Sequence, residues 1–124
     1  MNDCTRKTVL VVDDEEYLTG IWQEVLKMID TDCLTAKSGE RAISVLKEND
    51  VDLIITDLRM RGSDGFVLLR YLQNEAPTKI PAVICSGFYN EKSEELLSHD
   101  VLRVISKPFD VRLELEFLKE FLYG

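Results

Sequence analysis

The chain has 124 residues, of which 45% are hydrophobic, and a formal net charge of −8. That length fits one domain, 1–124, which buries roughly two-thirds of its unfolded surface on folding. The acidic balance excludes direct nucleic-acid binding, which needs a basic patch or stripe, and no apolar run reaches the ~18 residues of a membrane helix.

The elements alternate between two hydrophobic periods. Met1–Lys7 is polar and has no signal-peptide apolar stretch, so a cytoplasmic location is expected. Thr8–Val12 is a short β-branched run that predicts a buried strand, and Glu16–Ile29 has helical spacing. Cys33–Ala36 predicts the second strand, and Ser38 stands where an N-cap for Gly39–Lys47 belongs. Leu53–Thr56 is the third strand. Asp64 precedes a helix over Gly65–Leu72, Pro77 marks its exit, and Pro81 marks the entry to the strand Ala82–Cys85. Asn90 precedes the helix Glu91–Leu97, Leu102–Ile105 forms the fifth strand, and Asp110 caps the helix Val111–Leu122.

Five strand–helix units in strict alternation imply an α/β fold, a parallel sheet with helices on both faces. Right-handed crossovers favour a doubly wound five-stranded sheet of order 2-1-3-4-5 flanked by five helices. Ligands of such sheets bind beyond the carboxyl ends of the strands, where the strand order reverses between strands 1 and 3. Cys4, Cys33 and Cys85 lack paired spacing, which argues against a disulfide framework or zinc site; Cys33 and Cys85 read as small core residues.

The chemistry-bearing residues gather at that one edge. Strand 1 ends in Asp13-Asp14, strand 3 in Asp57, strand 4 in Ser86-Gly87, and strand 5 in Lys107-Pro108; only strand 2 ends without such a residue. Taken singly, each has an ordinary reading. Asp13 to Glu16 would complement a helix dipole, Asp57 would be a turn aspartate, and Lys107 a solvated lysine. Their conjunction at four strand ends is far more specific.

Two carboxylates about 5 Å apart repel by about 3 kcal/mol at an effective dielectric of about 20, and three converge here. Lys107 offsets a single charge, so a divalent cation is needed, and all-oxygen ligands select a hard one such as Mg²⁺. Asp57, at the centre, is the natural nucleophile for an aspartyl phosphate. Ser86 can donate a hydrogen bond to a phosphoryl oxygen, Lys107 can supply a point charge, and Gly87 leaves room for the group to approach the backbone.

Val-Val-Asp13-Asp14, the run from Asp57 to Gly65, Ser86-Gly87 and Lys107-Pro108-Phe109 together resemble the receiver domain of bacterial two-component response regulators. The resemblance covers nearly the whole chain and implies the flavodoxin-like fold of the CheY-like superfamily. It implies that Asp57 is the phosphoacceptor of a phosphorelay signal-transduction switch, charged by a sensor histidine kinase or a histidine phosphotransfer protein. Asp14 would ligate Mg²⁺ directly, Asp13 mainly through water, and the backbone carbonyl of Arg59 would complete the protein ligands alongside Asp57.

Three departures from the family pattern stand out. Arg61 replaces the usual proline, and Val104 replaces the usual aromatic three residues before the lysine. Output would then run through shifts around Ser86 or through homodimer contacts. Arg59 and Phe88 are bulky where the hydrolytic water would pass, and are expected to lengthen the lifetime of the acyl phosphate.

Two other readings stand beside this one. A phosphatase of the haloacid-dehalogenase type would carry a second aspartate where Arg59 stands. A degenerate receiver serving as a scaffold would not need the intact acidic and basic positions. Trp22 is expected to pack in the core. Leu18 and Ile21 are expected to be split between core packing and a kinase-docking surface beside Asp14.

Overall fold

The computed structural model describes residues 6–60, 63–77, 79–86, 101–106 and 110–124. In chain order the elements are β1 (Thr8–Val12), α1 (Glu16–Met28), β2 (Asp32–Ala36), α2 (Gly39–Glu48) and β3 (Leu53–Thr56). They continue as β4 (Arg59–Met60), β5 (Ser63–Asp64), α3 (Gly65–Asn74), β6 (Ala82–Ser86), β7 (Val101–Ser106) and α4 (Val111–Tyr123). The main sheet has five parallel strands in the order β2-β1-β3-β6-β7, the doubly wound arrangement expected from the alternation. Four helices lie among the described residues rather than five; the helix expected over Glu91–Leu97 falls outside them.

Alternation along β1 explains why the sheet is covered on both faces. Val9 and Val11 join one core cluster with Trp22, Leu26 and Leu118, whereas Leu10 and Val12 join another with Ala42, Ile54 and Leu68. Successive side chains of a strand point to opposite faces, so a fully apolar strand is stable only between two helix layers. Leu10, Leu26, Leu53 and Ile54 are fully buried, each worth about 1.5–3 kcal/mol of apolar transfer.

Local chemistry sets the helix ends. The Ser38 Oγ accepts from the Arg41 amide at 3.1 Å, and an Asp110 carboxylate oxygen accepts from the Arg112 amide at 2.9 Å, so two of the expected caps are made. The third, Asp64, lies in β5, immediately before α3; Asn90 lies outside the described residues. Helix α1 ends where Asp30 takes a left-handed φ of 53°. The Thr31 amide then reaches the Leu26 carbonyl at 3.0 Å and the Asp30 amide reaches that of Lys27 at 3.1 Å, a Schellman closure built without glycine.

One element was not foreseen. Arg59–Met60 and Ser63–Asp64 pair antiparallel, with Arg59 opposite Asp64, as a small hairpin between β3 and α3. Two-residue strands are too short to show a period in the sequence.

Candidate functional site

Register in the sheet brings the expected residues to one edge. Val12 pairs with Thr56, so Asp13 and Asp57 each follow directly on neighbouring strands. The Asp57 amide donates to the Val12 carbonyl at 2.9 Å, and the Asp13 amide donates to that of Ala36 at 3.0 Å. Both side chains are buried, Asp13 at 5% exposure and Asp57 at 6%. Beneath them the Thr56 hydroxyl, fully buried, donates to the Asp57 carbonyl at 2.9 Å. These bonds fix the backbone from which the carboxylates project.

The other strands arrive at the same rim. Thr56 pairs with Ile84 and β6 runs on to Ser86, which stands opposite Ser106 at the end of β7. Lys107 and Gly87 follow directly in sequence but lie outside the described residues, as do Phe88, Pro108, Phe109 and Arg61. Arg59 lies in β4, two residues beyond Asp57. Val104 stands opposite Ile84 and is 37% exposed.

Two features at this rim were missed in the sequence. Carboxylate oxygens of Asp13, Asp14 and Glu15 all lie within 4.8 Å of one another, so Glu15 joins the acidic cluster while Asp57 stands outside that trio. The Glu15 amide donates to Asp13 Oδ1 at 2.9 Å, which holds the first aspartate in place. Strand β2 also delivers a charged residue to the rim, contrary to expectation: Lys37 Nζ lies 2.6 Å from Glu16 Oε1 and holds that carboxyl below its ordinary range. The pair is largely exposed and contributes little to stability.

Such a donor set, carboxylate oxygens on a rigid strand edge, fits a hard divalent cation of the Mg²⁺ type. No described helix is long and apolar enough to cross a membrane. Trp22 is 2% exposed and packs in the core, as expected, and Ile21 packs against that core. Leu18 and Ile21 also line a groove between α1 and α4.

A family model for the response regulator receiver domain matches residues 9–118. The chain belongs to that family. Receiver domains are the phosphoacceptor modules of two-component signalling, and this receiver has the fold and the acidic edge of one. It is 36% identical over 107 residues to the autoinducer 1 sensor kinase/phosphatase LuxN of Vibrio campbellii, covering 86% of this chain and 12% of that protein. It is 34% identical over 106 residues to the response regulator GtcR of Aneurinibacillus migulanus, covering 84% of this chain and 43% of that protein. The receiver thus spans less than half the length of either relative. Among solved structures, a CheY-like receiver domain protein from Methanospirillum hungatei superposes with a TM-score of 0.84 at 19% identity, covering 94% of each chain. At that identity the likeness shows the fold alone.

Proposed function

We propose that this receiver is a cytoplasmic switch in which Asp57 takes a phosphoryl group from a phosphohistidine on a sensor kinase or phosphotransfer protein. The observation that carries the reading is the side-by-side burial of Asp13 and Asp57 at the carboxyl ends of two paired strands. Buried like charges on adjacent strands are costly unless something of opposite charge is bound.

Asp13, Asp14, Asp57 and the backbone carbonyl of Arg59 would hold Mg²⁺, which supplies neutralisation for the phosphoryl oxygens. A carboxylate oxygen of Asp57 attacks phosphorus while the phosphorus–nitrogen bond of the donor breaks, and the imidazole takes the electron pair and then a proton. Ser86 would donate a hydrogen bond to one phosphoryl oxygen, Lys107 would supply a positive charge to another, and Gly87 would leave room for the group at the backbone. Each chain accepts one phosphoryl group, and slow hydrolysis resets it. Phe88 and Arg59, bulky residues two positions after Ser86 and Asp57 in the sequence, would slow that hydrolysis and prolong the charged state.

The donor docks on the groove beside Asp14, where Leu18, Ile21, Val25, Met28 and Leu115 form an apolar floor. Glu15, Glu24 and Asp110 line that groove against a single cation, Arg112, a net acidic balance that favours a partner with basic residues around an apolar contact.

The test is transfer of label. With Mg²⁺ and a phosphohistidine donor, the wild type gains one phosphoryl mass by intact mass spectrometry, and Asp57→Asn gains none. Equal labelling of the two proteins overturns the assignment.

A further inference from the structure

At the amino ends of β3 and β6 lies a cavity of about 380 Å³, within the range of roughly 300–1,000 Å³ that small-molecule sites occupy. Val51, two residues before β3, and Ile80, two before β6, line it, so it sits at the end of the sheet opposite Asp57. Leu46 and Tyr71 bring in the last turns of α2 and α3. The floor is apolar: Val51 belongs to a core cluster, and Leu46 and Ile80 pack against the same cluster.

The polar groups around this floor are mostly acceptors. Tyr71 is 7% exposed, yet its hydroxyl bonds to none of the described residues. No buried side-chain oxygen among those residues lacks a partner, so this hydroxyl opens into the cavity that Tyr71 lines. A tyrosine on a buried ring ordinarily finds a protein partner. Helix α2 adds carbonyls that no intrahelical amide can reach. Asn49 Nδ2 donates to that of Val45 at 2.9 Å, whereas those of Leu46, Lys47 and Glu48 receive no backbone amide among the described residues. Helix α3 is closed by contrast, because the Tyr71 carbonyl accepts from the Glu75 and Ala76 amides, both at 2.9 Å. Glu48 and Asp50 line the cavity against one cation, Lys47, and none of the three is ion-paired among the described residues. The open end of a helix carries partial negative charge, which adds to that balance.

We propose that this cavity binds a small organic cation, a guanidinium carried on a short apolar stem. A guanidinium is a planar fork of N–H donors with no acceptor, and it sheds water more readily than an ammonium, so it suits a site rich in oxygen acceptors. The stem lies on Leu46, Val51 and Ile80. The fork reaches the Tyr71 hydroxyl and the end of α2, and Glu48 and Asp50 neutralise its charge. The whole length of β3 separates this cavity from Asp57, and the inference does not rest on the phosphoryl chemistry.

The probe is n-butylguanidinium, titrated into the nitrogen-15-labelled chain at constant ionic strength and followed by amide shifts in two-dimensional NMR. Saturable shifts are expected at Asp50, Val51, Tyr71 and Ile80. The neutral isostere n-butylurea should leave these amides unmoved, and n-butylammonium should bind more weakly. Tyr71→Phe removes only a hydroxyl that no described residue uses, so it keeps the fold and weakens binding about tenfold or more, the weight of one hydrogen bond to a charged group. Asp50→Asn should weaken binding as well, and Lys47→Glu, which exchanges the competing cation for an acid, should tighten it. A blocked arginine amide tests the other source of the same chemistry. Tighter binding of that compound than of n-butylguanidinium would assign the site to a partner's arginine and overturn the small ligand. Shifts that do not saturate, equal binding of n-butylurea, or a Tyr71→Phe variant with wild-type affinity would overturn the site itself.

Discussion

Asp13 and Asp57 leave the sheet side by side, each one residue past the cross-strand pair Val12–Thr56, and both are buried. Two carboxylates so placed repel each other, and a bound cation relieves that repulsion. Replacing one of them therefore has opposite effects on stability and on ligand binding.

For Asp13→Asn, the expected result is a gain of about 1–3 kcal/mol in stability in the presence of a chelator, from relief of like-charge repulsion. The amide oxygen of asparagine can still accept the Glu15 N–H. The same variant should gain much less from added Mg²⁺ than the wild type does, because ligand stabilisation follows affinity for the native state. Urea titrations with chelator and with Mg²⁺ check both halves, and a variant less stable in chelator contradicts the reading of the pair.

Tyr123 near the end of α4 reaches the edge of the sheet opposite the site, at the amino ends of the strands. Its hydroxyl lies 2.7 Å from Thr31 Oγ1, accepts from the Lys7 amide at 3.2 Å and lies 3.4 Å from the Asp30 carbonyl. Thr31 is 2% exposed, so loss of that partner is not fully replaced by water. Tyr123→Phe is expected to cost about 1 kcal/mol. The denaturation midpoint should fall with an unchanged slope; an unchanged midpoint would show the hydroxyl to be idle.

Cys33 is half-buried, and burial pushes its thiol up to about 12. At neutral pH the folded protein then holds it as the unreactive thiol, since the thiolate is the nucleophile. Alkylation of Cys33 in the native protein should be much slower than in the unfolded chain. The unfolded thiol ionises near about 8.5, well below the folded one, so the unfolded state sheds its proton first as pH rises. Stability should therefore fall with pH above that range, and Cys33→Val should flatten the slope. A wild type and variant with the same slope between neutral and alkaline pH would refute this account.

Much of this protein is local information. The runs Thr8–Val12 and Leu53–Thr56 are strands over the residues their β-branched composition marked, because a strand buried on both faces must be apolar at every position. Ser38 and Asp110 are caps because a short side-chain acceptor satisfies amides that the first turn leaves open. Strict alternation then constrains topology, and topology carries Asp13 and Asp57 to one rim.

Other relationships depend on tertiary packing alone. Nothing in the sequence near Glu15 distinguishes it from a helix-start acid, yet the turn after β1 folds its carboxylate into a cluster with Asp13 and Asp14. Lys37 and Glu16, Arg103 and Glu114, and Tyr123 and Thr31 meet because helices packed on a twisted sheet bring distant positions together. Periodicity records how deeply a residue is buried and on which face; it holds no record of which neighbour arrives there, since that is decided by the packing of whole elements.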